Sequence, residues 1–285
     1  MKTLIGNSSN PHPASFPYIT GDGFRSFAAH RYERGTRLDP EKVMPKEIVF
    51  VQGDLLRTFF EMIHPQIKHP YILITQNADT NIDHSYCKYI DRKIIHWFAQ
   101  NVVAVHEKIT PIPIGLECLY HHNFGVPKVF DAAVKKSISK ATAATRKSRI
   151  IFKFNIKSNP EERQPAYDFL SRFPLADELT GWPHPKKYLE SLMSYRFVAS
   201  PRGNGEDCHR TWEAMLVGTV PIVMKSVASD FFSKIGLPLL AIDSWDDITT
   251  LSEYDLKAKY DLILAKANRD PLYMDYWQNL IISKK

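Results

Sequence analysis

The chain has little cysteine. Its 285 residues include only Cys87, Cys118 and Cys208, an odd number with no Cys-x-x-Cys spacing. That excludes a disulfide-stapled framework and the paired thiolates of a structural zinc site. Long apolar runs are missing too: none reaches the ~18 residues of a membrane-crossing helix, and the opening Met1-Lys2-Thr3-Leu4-Ile5-Gly6-Asn7 lacks the apolar stretch of a signal peptide. The expectation is a soluble, cytoplasmic chain with no membrane span. Charge of one sign is not in large excess. With 37 Lys+Arg against 31 Asp+Glu the formal charge is +6, which favours anionic ligands without singling out nucleic acid. At 44% hydrophobic and 24% charged residues, the composition is that of a folded chain rather than a disordered one.

Several catalytic signatures are absent. No Gly-x-x-x-x-Gly-Lys-Ser/Thr loop occurs, which argues against a P-loop kinase or sulfotransferase. Neither a His-Glu-x-x-His zinc motif nor a Gly-x-Ser-x-Gly nucleophile turn is present. No Asp-x-Asp pair occurs either, so the hard oxygen ligands that would hold Mg²⁺ or Mn²⁺ at a diphosphate are not evident. The neighbouring His121 and His122 lack the one-turn spacing of a helical metal site, and no metal or other cofactor is expected.

What the chain does contain is a recurring strand–helix pattern. Ile48–Val51, Tyr71–Thr75 and Val102–Val105 read as buried strands, Pro111–Gly115 as a short extended piece, and Leu55–Met62 as a helix. A basic run from Val134 to Arg149 reads as a solvated helix or connector. The pattern then restarts with Ile150–Phe154, Tyr195–Ala199, Val220–Met224 and Leu239–Ile242. The expected class is α/β, two parallel-sheet domains facing across a cleft, with ligands at the strand carboxyl ends. The expected limits are 1–125, 126–265, and a final segment 266–285 whose helix returns to the first domain.

The densest chemistry lies in Ser200-Pro201-Arg202-Gly203-Asn204-Gly205, where a strand runs into a turn that opens a helix. Glycines let backbone approach a ligand closely, amides at a helix start favour an anion, and Arg202 could fork onto diphosphate oxygens. Helical spacing puts Cys208, Trp212 and Met215 on one inward face, and Glu206, His209, Arg210 and Glu213 on another. The latter could equally be surface ion pairs one turn apart.

This stretch, continued through His209-Arg210-Thr211-Trp212-Glu213-Ala214 and Gly218-Thr219-Val220-Pro221-Ile222-Val223, resembles the signature of exostosin-like glycosyltransferases, family 47 and its relatives. Similar pieces lie upstream at Gly21–Arg25, Thr75–Asp79, His96–Asn101, Pro113-Ile114-Gly115-Leu116-Glu117 and Asn155–Arg163. The length and layout look closest to the short, anchor-free xylosyltransferases of that superfamily, such as those of large algal viruses. The resemblance implies a GT-B architecture of two Rossmann-like domains, a UDP-sugar donor such as UDP-xylose, and an oligosaccharide or glycan acceptor. It further implies that Arg202 and the turn of Gly203, Asn204 and Gly205, with Ser200 before it, meet the diphosphate. Glu213 would meet the ribose, and Lys153, Asn155, Arg163, His209 and Arg210 would lie near the donor.

Inverting transfer needs a base for the acceptor proton. Asp22, Asp54, Asp79 and Asp83 sit near strand ends of the first half. Asp79, after the clearest strand, is the first choice; Asp22, Arg25 and Asp54 are expected to bind the acceptor. Two rival readings stand beside this one: a non-catalytic carbohydrate- or nucleotide-binding protein of the same fold, and a basic nucleic-acid-binding protein. The second lacks aromatics interleaved with its basic run.

Overall fold

Runs of aliphatic and aromatic residues too apolar for one-sided burial place most strands in the middle of sheets covered on both faces. The computed structural model describes residues 12–119, 125–137 and 145–285. The start of the chain, His121, His122 and Lys140 lie outside them. Among the described residues ten strands form two five-stranded sheets, parallel throughout.

The first sheet comprises β1 (His30–Tyr32), β2 (Ile48–Gln52), β3 (Tyr71–Gln76), β4 (Ile94–Ala99) and β5 (Ile109–Pro111), in sequential order. Val102–Val105 is not a strand: Val102 makes one bridge to Ile82, and Val105 is 75% exposed. The strand lies earlier, at β4, because His96 is tolerated in the interior. Its Nε2 meets Thr110 Oγ1 at 2.8 Å and its ring packs on Phe98. Asn101, at φ 56°, then turns the chain out of the sheet. The Leu55–Met62 segment is not one regular helix but short 3₁₀, α and π turns from Gly53 to Gln66.

The second sheet comprises β6 (Lys147–Phe152), β7 (Ala176–Glu178), β8 (Tyr195–Ala199), β9 (Val220–Met224) and β10 (Leu240–Ile242), ordered β10-β9-β8-β6-β7. The order reverses at β6, which has β7 on one side and β8 on the other. A parallel sheet leaves a crevice at such a switch point, beyond the strand carboxyl ends. Both expectations, α/β class and two parallel-sheet units, are met by this topology.

Among the described residues the longer helices are α1 (Gly21–Ser26), α2 (Pro127–Ser137), α3 (Pro160–Leu170), α4 (Pro185–Met193), α5 (His209–Leu216), α6 (Val227–Lys234), α7 (Glu253–Ala265) and α8 (Met274–Ile282). A single apolar core runs through both halves: Phe50, Ile74 and Phe98 of the first sheet join Val198, Trp212, Phe232 and Trp277. Trp277 of α8 lies edge-on to Phe24 of α1 and to Phe232 of α6, 6.3 Å from each. The far faces carry separate cores, around Phe59 and Trp97 in one half and around Phe197 and Tyr260 in the other.

The basic run is not a solvated connector throughout. Arg146 is buried and donates to the Val217 and Tyr195 carbonyls and to Thr219 Oγ1. Arg149 forks onto Asp177. These cations hold the second sheet together.

Candidate active site

The carboxyl ends of both sheets open on one cleft, where two cavities meet. The larger, about 440 Å³, is lined on the first-sheet side by Asp54, Gln76, Asn77, Asp79 and Gln100. The smaller, about 280 Å³, lies at the switch point and is lined by Lys153, Arg163, Trp182, Tyr188, Arg210 and Glu213. Glu117 and His209 border both.

The smaller cavity is a cationic pocket with one buried carboxyl. Arg163, on the first turn of α3, is buried; it donates to the Arg202 carbonyl at 2.8 Å and to the Asn155 carbonyl at 2.8 Å. Arg163 and Arg210 both lie over the ring of Phe154, at 5.9 and 5.7 Å. Lys153 pairs with Glu178 at 3.3 Å and lies 5.4 Å from the ring of Trp182, which is 72% exposed. Glu213 is buried rather than a surface partner, and burial pushes its carboxyl up to about 7 against the pull of Arg210. The negative charge of Glu117 pushes it the same way. A near-neutral carboxyl walled by fixed cations suits a ligand that is anionic at one end and carries hydroxyls at the other.

Ser200 and Arg202, at the Gly-rich turn, line a separate small cavity of about 70 Å³ together with Glu206 and Cys208. Arg202 does not line the cavity at the switch point. Its guanidinium is held by Glu162 at 3.0 Å and Glu206 at 2.8 Å. The segment from Asn204 to His209 instead ties the two halves together by four hydrogen bonds. Asn204 Nδ2 donates to Asp79 at 3.1 Å, the Glu206 amide donates to Asn101 Oδ1 at 3.0 Å, the Ile114 amide donates to Asp207 Oδ2 at 3.0 Å, and His209 Nδ1 donates to the Gly115 carbonyl at 2.8 Å. Gly205 is required by this closeness: a Cβ there would lie 2.5 Å from the side chain of buried Asn101. The start of α5 already faces an internal carboxylate, since Asp207 Oδ1 accepts the Cys208 amide at 2.8 Å. Burial pushes Asp207 up to about 6, while the Ile114, Trp212 and Cys208 N–H groups oppose the rise.

Other expected site residues fall in several places. Ser200 is buried beneath the turn, on Thr211 Oγ1 at 2.9 Å and Cys208 Sγ at 3.2 Å. Asn155 caps a short turn by accepting the Lys157 amide. The Gly203 carbonyl accepts from Asn159. None of these three lines the smaller cavity. Asp54 borders the larger cavity and pairs with Arg34 at 3.2 Å. Asp22 lies behind that cavity's wall, its side chain fully buried 3.5 Å from His12 Nδ1, and burial raises its pKa. Arg25 is turned away from the cleft and forks onto Glu33 at 2.6 and 2.8 Å.

Sequence reasoning missed Asn101, Asp207 and Tyr188. Only Asn101 left a trace, because Asn is one of the few residues that readily enter the left-handed region that ends β4. Among the described residues, no three His, Cys, Asp or Glu side chains cluster as a metal ion would need, and no helix is long and apolar enough to cross a membrane.

No family model matches the chain, and no curated protein matches it in sequence. Solved structures with a similar trace include α,α-trehalose-6-phosphate synthase from Burkholderia multivorans, at 9% identity and TM-score 0.46, covering 85% of this chain and 71% of that one. The UDP-forming α,α-trehalose-phosphate synthase from Burkholderia vietnamiensis is at 10% identity and TM-score 0.47, covering 85% and 73%. A glycosyltransferase from Rickettsia africae is at 7% and 0.39, covering 83% and 76%. Likeness this distant carries no statement about activity.

Proposed function

We propose that the chain is a glycosyltransferase that moves a sugar from a UDP-sugar to a hydroxyl of a glycan, with inversion and without a metal ion. The observation that carries this reading is the pair of joined cavities. One is walled by Lys153, Arg163 and Arg210 around the near-neutral carboxyl of Glu213, and the other by amides and carboxylates at the ends of the first sheet. The smaller suits a nucleoside diphosphate, with cations on the phosphates and Glu213 on the ribose hydroxyls. The larger suits a neutral polyhydroxyl acceptor, which needs many donors and acceptors and no net charge. Xylose as the transferred sugar, and kinship with the exostosin-like transferases, are supported by the sequence signature through Glu213 and Pro221.

Within this reading the diphosphate is met by Arg210 and Arg163 rather than by Arg202, which already has two carboxylates. Asp54 and Asp79 meet acceptor hydroxyls. The two arginines and the lysine supply the positive charge that stabilises the departing diphosphate, the part that a divalent ion plays in metal-dependent transferases. A thermal-shift panel of UDP, UDP-xylose and other nucleotide sugars, each with and without EDTA, tests the proposal, because a ligand that binds only the folded chain raises its melting temperature. A rise with UDP-xylose that survives EDTA is expected. No shift with any nucleotide, or a shift that needs Mn²⁺, would refute the donor or the metal-free assignment respectively.

A further inference from the structure

Removal of a proton from an incoming hydroxyl has to occur where donor and acceptor meet. Of the residues around the two cavities, Glu117 and His209 border both; Asp79 borders only the larger and Glu213 only the smaller.

The backbone that carries Glu117 is fixed on several sides. Gly115 adopts φ 69°, and a Cβ there would stand 2.3 Å from the Ile19 carbonyl oxygen, so only glycine fits. The Leu116 amide donates to that same carbonyl at 2.7 Å. Gly125 packs so tightly on the Glu117 carbonyl that a Cβ would lie 1.8 Å from it. His209 donates from Nδ1 to the Gly115 carbonyl at 2.8 Å, which ties the first turn of α5 to the backbone two residues before Glu117. The backbone that presents this half-buried carboxylate at the junction is thus held by close glycine contacts and by hydrogen bonds. Its charge is felt across the smaller cavity at Glu213.

We propose that Glu117 is the catalytic base of the transfer, with Asp79 left to orient the acceptor; this rests on the sugar-transfer reading above. The acceptor oxygen forms a bond to the anomeric carbon while the bond from that carbon to the β-phosphate oxygen breaks. The bonding pair leaves with the UDP, whose charge Arg163 and Arg210 receive. The acceptor proton passes to the Glu117 carboxylate and from there to solvent. His209, with its proton held on Nδ1 by Gly115, sets the height of the junction and is a positioning residue.

The experiment compares wild type with Glu117→Gln, Glu117→Asp, Asp79→Asn and His209→Gln. UDP affinity is measured by calorimetry, and UDP release from UDP-xylose is followed with a panel of methyl glycosides and with water as acceptors. Glu117→Gln is expected to bind UDP within ~3-fold of wild type while turnover falls at least ~10²-fold, the contribution of a general base. Glu117→Asp, which keeps the base but shortens its reach, should retain more turnover than Glu117→Gln, and Asp79→Asn should act mainly on acceptor KM. Retained UDP binding shows that each variant is folded. Glu117→Gln with more than a third of wild-type turnover overturns the proposal, as does loss of turnover in Asp79→Asn or His209→Gln larger than in Glu117→Gln. Wild type that binds UDP but releases none from UDP-xylose also overturns it. Failure of wild type to bind UDP at all refutes the sugar-transfer reading itself.

Discussion

Where β6 and β8 diverge, the cleft is walled by Lys153, Arg163 and Arg210 around one buried carboxyl; beyond β2, β3 and β4 it is walled by Gln76, Asn77 and Gln100 with Asp54 and Asp79. The second sheet reaches this cleft through a reversal of strand order, and the first, in sequential order, has none. A switch point opens a crevice by topology alone, so few residues are needed to make a pocket there; the charged ones range from buried Arg163 and Glu213 to half-buried Lys153 and Arg210. The first sheet builds its cavity from the end of β3 and from loop side chains. The difference teaches how each side is suited to a ligand: charge concentrated in a crevice fits an anion of fixed geometry, and a polar shelf fits a neutral ligand held by many weak contacts.

The largest effect expected from breaking this comparison is structural. The two halves share one core through Trp277, so Trp277→Ala should cost about 3–5 kcal/mol, the usual loss for a buried aromatic. Denaturant unfolding of wild type should be a single transition. Two separated transitions in wild type would mean that the halves are independent and the shared core unimportant.

Next in size is Arg210→Ala, which removes a charge-assisted contact of about 1.5–3 kcal/mol. Calorimetry should show UDP bound roughly 10–100-fold more weakly, while Asp54→Asn leaves UDP affinity nearly unchanged. Equal losses in both variants would erase the division into a donor and an acceptor side.

The buried carboxyl of Glu213 gives a pH signature. Its pKa is raised from 4.5 to about 7 by burial, so the native chain holds a proton that the unfolded chain has released across that window. Stability from this group is therefore present at low pH and lost as pH rises from about 4.5 through about 7. Melting temperatures of wild type relative to Glu213→Gln should fall across that interval. Parallel curves would place the carboxyl in water.

The smallest effect is expected for Arg202→Ala. The guanidinium is part-exposed and already paired with Glu162 and Glu206, so UDP affinity should change by no more than ~3-fold, in keeping with the small worth of such ion pairs. A loss as large as that of Arg210→Ala would return the diphosphate to Arg202 and the Gly-rich turn.

Strand by strand, the sequence determined much of the scaffold. Ile48–Val51, Tyr71–Thr75 and Val220–Met224 are apolar on both faces, as is Tyr195–Ala199 apart from Arg196, and a doubly covered parallel sheet accommodates such runs. It also marked the segment from Ser200 to Glu213 as the chemical centre, because Gly, Arg and helix-spaced charges rarely gather without a ligand or a close contact to serve. Edge strands β1 and β7 stayed hidden, being three residues long and partly polar. His96 disguised β4, since its Thr110 partner is set by strand pairing and not by anything adjacent in the chain. Tertiary structure alone decided that Gly205 faces Asn101, that Arg202 is neutralised within its own half, and that Glu117 and His209 stand where the cavities join. Gly205 and Asn101, Arg202 and Glu162, and Glu117 and His209 are pairs far apart in the chain, and local spacing carries no information on them; of these contacts only Arg202 with Glu206 is one turn apart. Propensity and periodicity fix what a segment becomes; which charges end as partners and which face a ligand is settled when the two sheets close on each other.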